Sequence, residues 1–259
     1  MIFALIGGFI GLISGGFVGL LVGAAIGYAA AWGLKKTIAG TLSIAQNQLM
    51  ESTFSIMGAL CKTDGVVSQA EIKVVEQIFN MLRLGEEQRS VAKEAFNRGK
   101  QRDFDLDAAV DRLAAVTRGR GPLVQLFLQL QCMAIAADGR VDPAEHKMLV
   151  RVATRLGLEE RDVRQLEALL RAATGGTASG GGGMHDIKSR LEDAYVALGV
   201  SADANDGEVK RAYRKLISAN HPDKLASRGL PESMRPVAEE RSRELNKAYD
   251  LIKESRGMV

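Results

Sequence analysis

The stretch Ser218-Ala219-Asn220-His221-Pro222-Asp223-Lys224 decides how this chain is read. Proline locks its own φ and pushes the residue before it out of the helical region, so a helix arriving from Asp206 must stop at His221. Along that helix Val209, Ala212, Tyr213 and Leu216 fall on one face, while Lys210, Arg211, Arg214 and Lys215 fall on the other. Beyond the stretch, a loop containing Gly229 and Pro231 leads to a second helix from about Glu232 to Glu254. The pattern predicts two antiparallel helices packed through the apolar face. The imidazole and carboxylate of His221 and Asp223 are left on an exposed, stiff loop, beside four cations suited to an acidic partner.

Four blocks in order carry a family resemblance. They are Tyr195-Val196-Ala197-Leu198-Gly199-Val200, Val209-Lys210-Arg211-Ala212-Tyr213-Arg214-Lys215-Leu216, His221-Pro222-Asp223-Lys224, and Leu245-Asn246-Lys247-Ala248-Tyr249-Asp250-Leu251-Ile252. Together they resemble the J-domain of the DnaJ family, with a short first helix expected from about Asp186 to Ala197. The resemblance implies docking on a DnaK-type chaperone in its ATP state and acceleration of that partner's ATP hydrolysis. By the same resemblance, Lys210, Arg211, Arg214 and Lys215 would steer the encounter with an acidic surface. His221, Pro222 and Asp223 would couple docking to hydrolysis, Asp223 being suited to an arginine of the partner. The hydrolysis occurs in the partner, so the chain is expected not to be an enzyme and to need no cofactor. No Cys-x-x-Cys-x-Gly-x-Gly repeats or Gly/Phe-rich stretch follow the J-domain blocks in this sequence, which favours a localised recruiter over a general client holder.

From Ile2 to Leu34 no residue is charged. About 20 apolar residues suffice to cross a bilayer as a helix. A cleaved signal peptide would carry positive charge ahead of its apolar core, and here Lys35 and Lys36 follow it instead. The expectation for residues 1–34 is therefore a single-pass anchor, N-terminus out and everything after it in the cytoplasm. Gly7, Gly11, Gly15, Gly19, Gly23 and Gly27 repeat every fourth residue, a stripe that would let two membrane helices approach closely and form a homodimer.

The composition, 46% apolar and 5% aromatic, favours helices nearly everywhere, and a formal charge of +3 gives no bulk reason to expect nucleic-acid binding. Between Thr41 and Ala173 acidic and basic residues balance. Helices are expected there at about Ile44–Lys62, Gln69–Arg83, Glu86–Arg98, Leu106–Thr117, Pro122–Ala137, Pro143–Leu156 and Glu159–Ala173. An internal echo joins Asp64-Gly65-Val66-Val67 to Asp138-Gly139-Arg140-Val141, and Glu71 to Glu145. Ser68-x-x-Glu71 and Asp142-Pro143-x-Glu145 read as helix caps after tight Asp-Gly turns, and this explains the acidic residues better than a metal site does. Cys61 and Cys132 have no metal spacing and suit a reducing compartment. His146 and His185 have no ligand or triad spacing.

The doubled helical pattern resembles the tellurite-resistance TerB-like domain. The expected organisation is all-α: an anchor over 1–34, a TerB-like domain over 41–173, a Gly-rich linker over 174–184 and a J-domain over 185–259. That order resembles the membrane-anchored DnaJ-like co-chaperones, which implies the inner (cytoplasmic) membrane, with the N-terminus periplasmic. The nine residues Gly175 to Gly183 form a tether on which the J-domain is expected to swing. A competing function is a membrane adaptor whose helical domain binds a dedicated partner or a metal, the J-domain being secondary.

Overall fold

The structure, a computed structural model, describes residues 28, 47–63, 67–117, 121–137, 141–174, 184–227 and 230–258. The anchor apart from residue 28, its glycine stripe, the two Asp-Gly turns and the tether lie outside the described residues. The chain divides into two units, residues 1–48 and 49–259, and the architecture below is that of the second. Every regular element among the described residues is helical.

The first half comprises α1 (residues 47–61), α2 (Gln69–Met81), α3 (Glu86–Gly99), α4 (Leu106–Thr117), α5 (Gly121–Ile135), α6 (Pro143–Arg155) and α7 (Glu160–Thr174). The central post is α5. Leu123, Leu126, Phe127, Leu128, Leu130 and Cys132 on it are all buried, a helix apolar nearly all round and covered by neighbours on every side. Phe54 of α1 meets Phe79 of α2 edge to face, ring centroids 5.0 Å apart. The echo in the sequence is an echo in structure: α6 begins and ends 74 residues after α2 (69 to 143, 81 to 155). Both helices start on a capping box, Ser68 with Glu71 and Asp142 with Glu145, so both glutamates serve their own helix ends. Cys61 and Cys132 are buried free thiols.

One close approach escaped the sequence reading. Where α1 crosses α3, a Cβ on Gly99 would sit 1.8 Å from the Ser55 carbonyl oxygen, and one on Gly58 would sit 2.1 Å from that of Phe96. The two backbones touch through the two glycines, and any side chain would force them apart.

The second half comprises α8 (Met184–Leu198), α9 (Asp206–Asn220), α10 (Pro222–Ser227), a 3-10 turn (Glu232–Met234) and α11 (Arg235–Arg256). Helices α9 and α11 are joined by the Tyr213 hydroxyl, which donates to Asn246 Oδ1 at 3.0 Å, and by stacked Tyr213 and Tyr249 rings 4.0 Å apart. Arg256 closes the far end, donating to Tyr195 Oη at 2.6 Å and to the Ala202 and Ala204 carbonyls of the α8–α9 loop.

The structure departs from the sequence reading in two places. Residues 222–227, expected as loop, form α10, because proline is well suited to the first turn of a helix even as it ends the one before. The J-domain, expected to swing on its tether, is docked. Helices α7 and α8 run antiparallel, with Ala172 bonded to Arg190, Arg171 to Asp193 and Gln165 to Ala197. Ala168, Leu169 and Ala172 of α7 belong to one apolar cluster with Ala194, Leu198, Leu245 and Ile252, and Leu225, Met234, Val237 and Ala238 pack into the core of the first half.

Candidate functional site

The helix that carries the cations starts on Asn205, whose Oδ1 accepts from the Glu208 amide at 3.0 Å while Glu208 Oε2 accepts from the Asn205 amide at 2.9 Å. Val209 is wholly buried and Ala212, Tyr213 and Leu216 are half-buried, so α9 is fixed by the face the periodicity assigned to packing. Lys210, Arg211, Arg214 and Lys215 are exposed and make no ion pair among the described residues. They form a free positive strip leading to the helix C-terminus.

The strip ends at His221, whose extended φ/ψ of −62° and 128° terminate α9. Buried residues pin the backbone on both sides: Asn220, bonded to the Leu216 carbonyl at 2.9 Å, and Leu225, at 1% exposure. Between them the His221 and Asp223 side chains stand 52% and 69% exposed. His221 Nδ1 accepts from the Asp223 amide at 3.3 Å, which puts the proton of the neutral ring on Nε2, a donor available to a partner.

Asp223 has a partner already, and sequence reasoning missed it. Arg235 Nη2 donates to Asp223 Oδ1 at 3.1 Å, and its Nε donates to Glu239 at 3.3 Å. The nearby carboxylates, with the Glu239 hydrogen bond the largest influence, hold the Arg235 guanidinium above its ordinary pKa. Arg235 occupies one carboxylate oxygen, Oδ1, and the Asp223 side chain remains 69% exposed. No local pattern flagged this pair, since the two residues are 12 apart across an irregular connection.

Among the described residues no cluster of His, Cys, Asp and Glu is arranged to hold a metal. His146, regarded from sequence as incidental, is tied by Nδ1 to Glu167 at 2.8 Å, with Glu160 3.8 Å from Nε2.

Comparison with known proteins identifies the two halves. Residues 50–168 match the family described as Tellurite resistance protein TerB, and residues 193–256 match the DnaJ domain. The chain is 40% identical over 228 residues to the "Co-chaperone protein DjlA" of Vibrio vulnificus (strain CMCP6), an alignment covering 82% of this chain and 79% of the relative. This chain belongs to the DjlA co-chaperone family. The DjlA of Shewanella oneidensis is 38% identical over 226 residues, covering 85% of this chain and 83% of its own. That of Vibrio cholerae serotype O1 is 40% identical over 226 residues, covering 82% and 80%. No solved structure matches the chain. The two domain matches and the DjlA family membership give a TerB domain followed by a J-domain, helical throughout the described residues, in a chain akin to co-chaperones. Among the described residues no helix is long and apolar enough to cross a membrane.

Proposed function

We propose that this chain is a membrane-anchored co-chaperone that recruits a DnaK-type chaperone through its J-domain and stimulates the ATPase of that partner. The observation that carries the reading is the exposed His221-Pro222-Asp223 turn at the end of a strip of four exposed cations that make no ion pair among the described residues, within a J-domain of a DjlA-family chain. Lys210, Arg211, Arg214 and Lys215 draw in an acidic surface of the partner, and their effect weakens with salt as exposed charges are screened. His221 and Asp223 then make the contacts that couple docking to hydrolysis, with Asp223 leaving Arg235 for an arginine of DnaK. No bond is made or broken on this chain.

The uncharged segment from Ile2 to Leu34 is the anchor in this reading, holding the remainder at the cytoplasmic face of the inner membrane. The stripe from Gly7 to Gly27 pairs two such anchors. Single-turnover ATP hydrolysis by DnaK, with the full chain and with the chain cut before Met184, tests the function. Stimulation by the full chain alone is expected, and equal rates would refute it. Crosslinking in membranes tests the stripe: Gly15→Leu with Gly19→Leu should lower the dimer yield, and an unchanged yield removes the stripe from the account.

A further inference from the structure

The seam between the two halves is built from specific contacts. On the α7–α8 side Arg171 donates from Nε and Nη2 to Asp193 at 2.9–3.1 Å, and Gln165 Nε2 donates to the Ala197 carbonyl at 2.8 Å. On the α5–α11 side Gln129 Nε2 donates to Glu244 Oε2 at 2.7 Å, across 115 residues of chain, with both side chains buried. Small residues bring the helices together: Ala168, Ala172, Ala194 and Ala197 are each at most 2% exposed. Beside them lies a cavity of about 230 Å³ whose lining includes Met133, Leu170, Arg171, Glu240 and Glu244.

The balance favours closure. Loop-closure entropy grows slowly with length, so a nine-residue tether adds little resistance to docking. Leu169, Leu225, Met234 and Val237 are all buried, and removing their apolar surface from water favours the docked form. The seam and the candidate site use different residues. Docking consumes α8, the inner face of α11, Leu225 and Met234, and leaves the cations of α9 and the His221 and Asp223 side chains exposed.

We infer that the J-domain works from this docked position: the α5–α7 face of the TerB domain is a mount that fixes where the His221–Asp223 turn points. Gln129, Gln165 and Glu244 are its positioning residues, while the exposed Arg171–Asp193 pair marks the register of α7 against α8. The seam is a built-in platform, neither a lid over the site nor a resting place the J-domain must leave. The claim that the docked form is the working form rests on the DnaK reading, while the existence of the mount does not.

The test uses the full chain in membranes with Arg171→Cys and Asp193→Cys, joined by a short bismaleimide. The native thiols Cys61 and Cys132 are fully buried, which keeps background reaction low. A link within one chain is expected in most molecules, with DnaK stimulation within about twofold of the unlinked protein. No link, or a link between chains, would overturn the mount. A link that forms while stimulation falls more than tenfold would make the docked state inhibitory and overturn its working role. Hydrogen exchange on the unaltered chain guards against a misfolded variant. Ala168, Leu169 and Ala172 are covered by the J-domain cluster, so their amides should be as protected as those of α8. Fast exchange there would refute docking, and absent stimulation in every form would refute the DnaK reading while leaving the seam measured.

Discussion

The TerB half keeps its unusual residues inside: Gly58 and Gly99 let α1 and α3 touch, and Gln131 reaches the Thr53 carbonyl at 3.1 Å in the core. The J-domain turns its own outward, with His221, Asp223 and four cations in solvent on a backbone pinned by Asn220 and Leu225. The contrast teaches that the two halves should fail differently. Changes to the outward set should remove function and leave the fold, while changes to the inward set should weaken the fold and leave the chemistry of the site.

The largest effect belongs to His221. His221→Gln should reduce stimulation of DnaK to background, with thermal unfolding unchanged, because an exposed side chain contributes little packing. Undiminished stimulation by a folded variant would end the role assigned to it.

Next in size is the pH response of the seam, where the contrast blurs because an ionisable group is turned inward. Burial, reinforced by Glu240, pushes Glu244 from 4.5 up to about 8, with Arg241 and Lys247 pulling the other way. From α7, Glu167 and Arg171 line the adjoining cavity and Asp162 acts on Arg241, while α5 supplies Gln129 and the buried Cys132. The docked carboxyl thus holds a proton that a solvated one gives up. Its contribution to docking is complete below about 4.5, weakens as pH rises, and is gone above about 8. Roughly a hundredfold loss in the docking equilibrium is expected between pH 5 and 8, discounting for solvent that penetrates the seam. Link yield between positions 171 and 193, followed against pH, measures it. Glu244→Gln should flatten the profile, and an equally steep profile in that variant would assign the response to another group.

Gly99→Ala comes third. Its Cβ would meet the Ser55 carbonyl, backbone that cannot step aside, so a loss of about 1–3 kcal/mol is expected from overpacking. Denaturant unfolding should register it, and DnaK stimulation by the folded fraction should not change. An unaltered midpoint would mean that α1 and α3 are not in this contact.

Much of this was legible in advance for physical reasons. The 3.6-residue period placed the helices, Ser68–Glu71 and Asp142–Glu145 carry their capping signal within four residues, and Pro222 announced the end of α9. What escaped notice lacks a local signature. Ala168, Ala172, Ala194 and Ala197 read as ordinary helix formers until α7 and α8 lie side by side, and Gln129 finds Glu244 only through the tertiary fold. Gly58 and Gly99 carry no local signal of the close approach between α1 and α3. Proline was read only as a stop, and its second use as the start of α10 was missed.

The smallest effect, and the one that most sharpens the contrast, concerns Arg235. From α11 it ties an outward-facing member of the candidate site, Asp223, to the chain itself. The pair is exposed on both sides, 40% for Arg235 and 69% for Asp223, so it belongs to the class of surface ion pairs that contribute little to stability. Arg235 also leans on Glu239, which lowers the cost of letting Asp223 go. If DnaK must take Asp223 from Arg235, that energy is spent at every encounter. Arg235→Ala should therefore tighten DnaK binding only slightly, by less than about fivefold. Asp223→Asn should weaken binding whether or not Arg235 is present. Titration of DnaK in its ATP state against the wild type, each single variant and the double variant makes a complete cycle. Weaker binding by Arg235→Ala would show that Arg235 holds Asp223 in the orientation the partner needs, making it a support of the site and not its competitor.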